Sequence, residues 1–93
     1  MVENVKEFAT KLFEEFSNLG MTVLEELEPA IYKVVIDPIE GNPWELLIIE
    51  GYSDSVHLLY YSEGWVYMGE YKLSKDGVKT AIDDLKREYI EVV

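Results

Sequence analysis

Apolar residues near both ends of the chain recur at helical spacing. In the first twenty positions they fall at the i, i+3 and i+4 intervals of an amphipathic helix, at Val5, Phe8, Ala9, Leu12, Phe13 and Phe16. Gly20 is expected to end this helix. Ser74 is a favourable N-cap, and a second stripe follows it at Val78, Ala81, Ile82, Leu85 and Tyr89. The two patterns predict one helix at each end of the chain.

Between the predicted helices, runs rich in Val, Ile, Leu, Tyr and Trp are separated by short turn signals, a pattern typical of an antiparallel meander. The runs predict strands near 22–28, 31–37, 44–52, 55–62 and 65–72. We therefore expect a single α+β domain over 1–93. It would consist of an N-terminal helix, a five-stranded antiparallel meander sheet and a C-terminal helix, with both helices packed on one face of the sheet.

Two turn signals predict the register of the last three strands. Ser53-Asp54 and Glu63-Gly64 have the composition of two-residue hairpin turns. A loop of defined length sets which residues stand opposite each other. The predicted opposed pairs are Leu46 with Tyr61, Glu50 with His57, Tyr61 with Val66, and His57 with Glu70.

This register divides the sheet into a nearly uncharged face and a second face that is partly apolar. The first face is predicted to lie beneath the helices and carries Leu47, Ile49, Val56, Leu58, Tyr60, Trp65, Tyr67 and Tyr71, with Glu45 at one end. The second face is left uncovered, and its apolar residues are the candidate interface: Trp44, Leu46, Ile48, Leu59, Tyr61, Val66 and Met68. Monomers rarely expose a patch of this size, and two-fold homodimers are the commonest soluble assembly. We therefore expect a homodimer through this face, unless the first two strands or the loop at 37–43 fold over it.

Composition narrows the class of protein. The hydrophobic content of 48% is too high for a disordered segment, and the chain has no cysteine for a disulfide or a thiolate metal site. The first twenty residues lack the basic end and unbroken apolar run of a signal peptide, so we expect a cytoplasmic protein. Glutamine is absent, and Glu and Lys supply most of the charge, which is typical of proteins from thermophiles.

The net charge of -11 is concentrated in the sheet region. Residues 25–70 hold ten carboxylates against one base, Lys33, which gives -9. Such a surface repels a phosphate backbone, so we expect no direct nucleic-acid binding. It would attract a basic protein partner, and an alternative function is therefore an acidic nucleic-acid mimic that inhibits a DNA- or RNA-handling protein by occupying its basic groove.

One polar group stands out in the predicted register, because Glu50, His57 and Glu70 fall on three neighbouring strands. A histidine beside two carboxylates could contribute to a divalent metal site, although cross-strand charge pairs of this kind are more often structural. The serines have one histidine to share and lack a glycine-flanked nucleophile elbow. We therefore expect no catalytic residues, no metal and no cofactor.

The function expected from these patterns is a non-enzymatic protein–protein interaction module, either an adaptor or a chaperone-like protein. The helix, sheet, helix order resembles, in architecture alone, that of small acidic dimers of the secretion-chaperone type. That resemblance implies a homodimer that binds other proteins.

Overall fold

The structure is a computed structural model that describes residues 2–89. A helix lies at each end of this part of the chain. Helix α1 spans Val5–Phe16 and is followed by a 3₁₀ turn at Ser17–Leu19. Helix α2 spans Lys75–Asp84 and continues into a π-helical turn at Leu85–Tyr89. The side chains of Asn4 and Ser74 accept hydrogen bonds from the first turns of α1 and α2, at 2.9 and 3.0 Å. These caps satisfy N–H groups that a helix start leaves without partners.

Five antiparallel strands connect the helices and lie side by side in chain order. They are β1 (Gly20–Glu28), β2 (Ile31–Pro38), β3 (Trp44–Glu50), β4 (Ser55–Tyr61) and β5 (Trp65–Lys72). The predicted fold class, an α+β meander flanked by a helix at each end, is confirmed. The strand bounds differ from prediction by at most two residues at either end.

Both helices pack on the same face of the sheet. Helix α1 covers β1, β2 and β3, while α2 packs on β5 and against α1. The helices contribute Phe8, Leu12, Phe16, Ala81 and Leu85 to one continuous core, all at most 1% exposed. Burying each large side chain of this kind contributes about 1.5–3 kcal/mol, which explains why the apolar stripes of the helices lie against the sheet.

The turn between β3 and β4 is one residue longer than the sequence predicts. Residues 52–54 form the loop, which is closed by a 2.8 Å hydrogen bond from the Gly51 backbone N–H to the Ser55 carbonyl. Ser53 and Asp54 both take the left-handed backbone conformation, each with φ of 54°. The prediction of a two-residue Ser53-Asp54 turn is therefore wrong. Because each added loop residue shifts the pairing, Glu50 stands opposite Val56 instead of His57.

The turn between β4 and β5 is also one residue longer, but a β-bulge compensates for it. Tyr61 pairs with Trp65 around a loop of residues 62–64, so the predicted two-residue Glu63-Gly64 turn and the Tyr61–Val66 pair are wrong. Met68 is an extra residue in β5 without a partner in β4, and the register shifts by one position there. The next residue, Gly69, has φ of 147°. Beyond the bulge, His57 stands opposite Glu70, as predicted.

The longer β3–β4 turn reverses the faces of β3. Leu46 pairs with Tyr60 instead of Tyr61, so the alternate set Trp44, Leu46 and Ile48 shares the face of Val56, Leu58 and Tyr60. This is the face that the helices cover. Trp44 is 5% exposed, and its ring lies 5.7 Å from the ring of Phe16, nearly at a right angle to it.

Candidate protein-binding surface

The sheet face opposite the helices, here called the open face, is built from three rows of directly opposed residues. The first row is Val23, Val35, Glu45, Tyr61 and Trp65. The second row is Glu25, Lys33, Leu47, Leu59 and Tyr67. The third row is Glu28, Ile31, Ile49, His57 and Glu70. No helix of the described residues packs on this face, and its side chains are mostly aliphatic or aromatic.

Large apolar side chains of the open face are accessible at both of its edges. Val23 on β1 is 51% exposed, and Trp65 and Tyr67 on β5 are 48% and 57% exposed. The side chains of the central strand, Leu47 and Ile49, are half-buried because neighbours flank them on both sides. The aromatic rings of Tyr61 and Trp65 pack against each other with centroids 4.9 Å apart. An exposed apolar surface of this extent is typical of a protein-binding site.

The two charged residues at the centre of the open face are paired inside one copy of the chain. Nζ of Lys33 lies 3.2 Å from Oε1 of Glu45, and the two side chains are only 26% and 28% exposed. Glu25 stands directly opposite Lys33 on its other side. Glu25 and Glu28 are exposed on the outer strand β1, so a partner can cover the centre of this face without leaving an isolated buried charge.

The predicted interface set is only partly exposed. Trp44, Leu46 and Ile48 are buried beneath the helices, so the prediction that they form an interface is wrong, and the shifted β3 register is the reason. Leu59 and Tyr61 do lie on the open face, and their role in binding stays a prediction. Val66 is 45% exposed, but it pairs with Tyr60 and therefore belongs to the helix side of the sheet. Met68 lies in the bulge and packs against the core.

Several open-face residues were assigned to the covered face by the sequence analysis, among them Leu47, Ile49, Trp65 and Tyr67. The position of Glu45 could have indicated which face of the sheet Leu47 and Ile49 occupy. Glu45 alternates with Leu47 and Ile49, and a carboxylate is costly to bury beneath helices. In β5, Gly69 is a glycine inside a strand pattern, which is typical of a bulge, although it does not fix the register on either side.

The predicted polar group is reorganised. His57 and Glu70 are neighbours, with Nε2 and Oε2 3.6 Å apart, whereas Glu50 lies opposite Val56 and points to the other face. Instead, Nδ1 of His57 lies 2.9 Å from the hydroxyl oxygen of Tyr67, a contact that the sequence analysis missed. The predicted three-member site of Glu50, His57 and Glu70 is therefore not assembled.

The buried Ser55 hydroxyl belongs to the same network. It donates to Oε2 of Glu70 at 2.9 Å and also contacts the carbonyl oxygen of Tyr52. The carboxylate thus lies between the serine and the histidine, so the direct serine–imidazole contact of a Ser-His-Asp triad is not formed here. This arrangement orients the side chains of Glu70 and His57 at the end of the open face.

A cleft of about 670 Å³ lies at the end of the sheet near the β2–β3 loop. Its polar side chains are mainly amides and hydroxyls, with Glu40 as the one carboxylate in its wall. The described residues contain no group of three or more His, Cys, Asp or Glu placed to hold a metal ion. Over the same residues, no helix is long and apolar enough to cross a membrane.

Comparisons with known proteins provide no further assignment. No protein-family model matches the chain, and the searches of curated proteins and of solved structures found no match. The fold and the composition of the open face are therefore the basis for a functional proposal.

Proposed function

We propose that this chain is a non-enzymatic protein–protein interaction module, an adaptor or chaperone-like protein, and that it binds its partner through the open face. The observation that carries the proposal is the position of three apolar residues, Leu47, Ile49 and Leu59, in the middle of a sheet that helices cover on one side only. Aromatic residues at its edge, Trp65 and Tyr67, are the residue types that most often anchor protein interfaces.

The competing candidate is the acidic mimic that occupies a basic groove. Its support is the location of carboxylates outside the centre of the open face, with Glu40, Glu50, Asp54 and Glu63 in loops or at strand ends. The two candidates differ in the chemistry of the contact. Binding through the open face depends on apolar area and survives salt, whereas binding through exposed carboxylates is screened by salt.

Affinity capture with matched variants tests this proposal. Wild type, Trp65→Glu and Val66→Glu are immobilised and exposed to an extract of the source cells at about 0.1 and 0.5 M NaCl. Trp65 and Val66 are adjacent and similarly exposed but lie on opposite faces, so Val66→Glu controls for the added charge.

We expect proteins retained at high salt by wild type and Val66→Glu but lost with Trp65→Glu. Labelled free copies of the chain are added to the extract, so that retention of the chain itself is distinguished from retention of other proteins. Retention only of basic proteins, released by salt and insensitive to Trp65→Glu, would overturn the proposal in favour of the mimic.

A further inference from the structure

We infer that the occupant of the open face is a second copy of this chain, packed sheet face to sheet face about a two-fold axis. The inference rests on the proposed function and names the partner of the same surface. Closed two-fold dimers are the commonest homo-oligomers, and they place one patch against an identical patch. The patch must therefore be complementary to itself in size, polarity and charge.

The size of the open face fits a dimer interface. Five strands about 4.8 Å apart and about seven residues long give a footprint of roughly 24 by 23 Å. The relief of the side chains makes the accessible area larger than this flat footprint. Standard interfaces bury about 800 Å² on each partner, so the area is comparable with what a stable dimer needs.

The charges of the open face favour an electrically balanced partner. Lys33 is paired with Glu45 and stands beside Glu25, while Glu70 contacts His57 and the Ser55 hydroxyl. A basic partner would find few unpaired carboxylates in the middle of this surface. The same face of a second copy offers apolar contacts at its centre and carries its own Lys33–Glu45 pair. Glu25, Glu28 and Glu70 are exposed on the outer strands β1 and β5, so covering the centre leaves no isolated ion.

The remaining charge of the chain gives the dimer a distinctive salt dependence. Each copy carries a net charge of -11, so two copies repel each other at long range. Salt screens this repulsion and leaves the apolar contact intact. Self-association therefore strengthens as salt is raised, whereas capture of a basic protein by carboxylates weakens.

Sedimentation velocity tests the inference on the full chain from about 1 to 200 µM, at about 0.1 and 0.5 M NaCl. The variants are Trp65→Glu and Val23→Glu at the two edges of the open face, with Val66→Glu as the exposed control on the opposite face. Circular dichroism confirms that each variant is folded.

We expect a dimer for wild type and for the Val66→Glu control, with a dissociation constant that falls as salt rises. Either open-face variant should raise that constant at least about tenfold, which corresponds to about 1.4 kcal/mol. Wild type that stays monomeric at 200 µM or so in both salts, or a dimer that neither open-face variant weakens, would overturn the inference. A monomeric wild type whose open face still captures another protein would refute self-association while leaving the proposed function intact.

Discussion

The hydroxyl of Tyr71 on β5 donates a 2.7 Å hydrogen bond to Oδ2 of Asp84 at the end of α2. The other carboxylate oxygen, Oδ1, accepts from Nη2 of Arg87 at 2.7 Å. Burial raises the pKa of Tyr71, and the neighbouring Asp84 raises it further. This hydrogen bond links α2 to β5 and so stabilises the packing of α2 on the covered face of the sheet.

Replacing Tyr71 with Phe removes this contact without opening a large cavity. We expect the free energy of unfolding at pH 7 to fall by about 1 kcal/mol, the usual net contribution of a hydrogen bond. Asp84 keeps Arg87 as a partner, which limits the loss. Urea denaturation measures the change, and Tyr52→Phe is the matched control, because Tyr52 is 91% exposed and should change stability little.

The same hydroxyl makes stability sensitive to alkaline pH. The unfolded chain releases the tyrosine proton near pH 10, whereas folded Tyr71 keeps its proton to higher pH. The unfolded state therefore binds fewer protons above pH 10 or so, and wild-type stability should fall with rising pH. We expect a shallower fall in Tyr71→Phe when unfolding is measured between about pH 9 and 11. Equal slopes for the two proteins would contradict this assignment.

Gly77 in the first turn of α2 has no room for a side chain. A Cβ at this position would lie 1.9 Å from the carbonyl oxygen of Lys72, which is backbone and cannot move aside cheaply. We expect Gly77→Ala to destabilise the fold by about 1–3 kcal/mol, although the same change in an open helix is stabilising. Gly64 has nothing within 4 Å of its virtual Cβ, so Gly64→Ala serves as the control and should stay within about 0.5 kcal/mol of wild type.

The Lys33–Glu45 pair provides a charge test of the dimer. Lys33→Met alone leaves Glu45 without its nearest cation, and covering an unpaired carboxylate is costly. We therefore expect this single variant to weaken self-association. The double variant Lys33→Met/Glu45→Leu removes both charges and should restore or tighten it, as measured by sedimentation. If Lys33→Met alone tightened the dimer, the Lys33–Glu45 pair would not lie buried in the dimer interface.

Most of the fold could be predicted from periodicity. The helical stripes ending near Phe16 and starting after Ser74 and the five strand-like runs were sufficient for element order and fold class. These signals persist over many residues, so an error of one position in a boundary leaves the fold unchanged.

The identity of the binding surface could not be predicted in the same way, because it depends on single residues in turns. Ser53 and Asp54 adopt left-handed conformations that extend the β3–β4 loop to three residues, and neither is a glycine that would signal this. One added residue exchanged the faces of β3. The extra residue in the Met68 bulge offsets the longer β4–β5 loop, so His57 pairs with Glu70 as predicted.

The most direct test of which face is open uses adjacent cysteine variants in β3. The chain contains no native cysteine, so Leu46→Cys and Leu47→Cys each provide one thiol on opposite faces. In a monomeric, dilute sample we expect Leu47→Cys to react readily with a thiol reagent. Leu46→Cys should react at least about a hundredfold more slowly, because modification must wait for local unfolding. Faster reaction of Leu46→Cys than of Leu47→Cys would contradict the assignment of the open face.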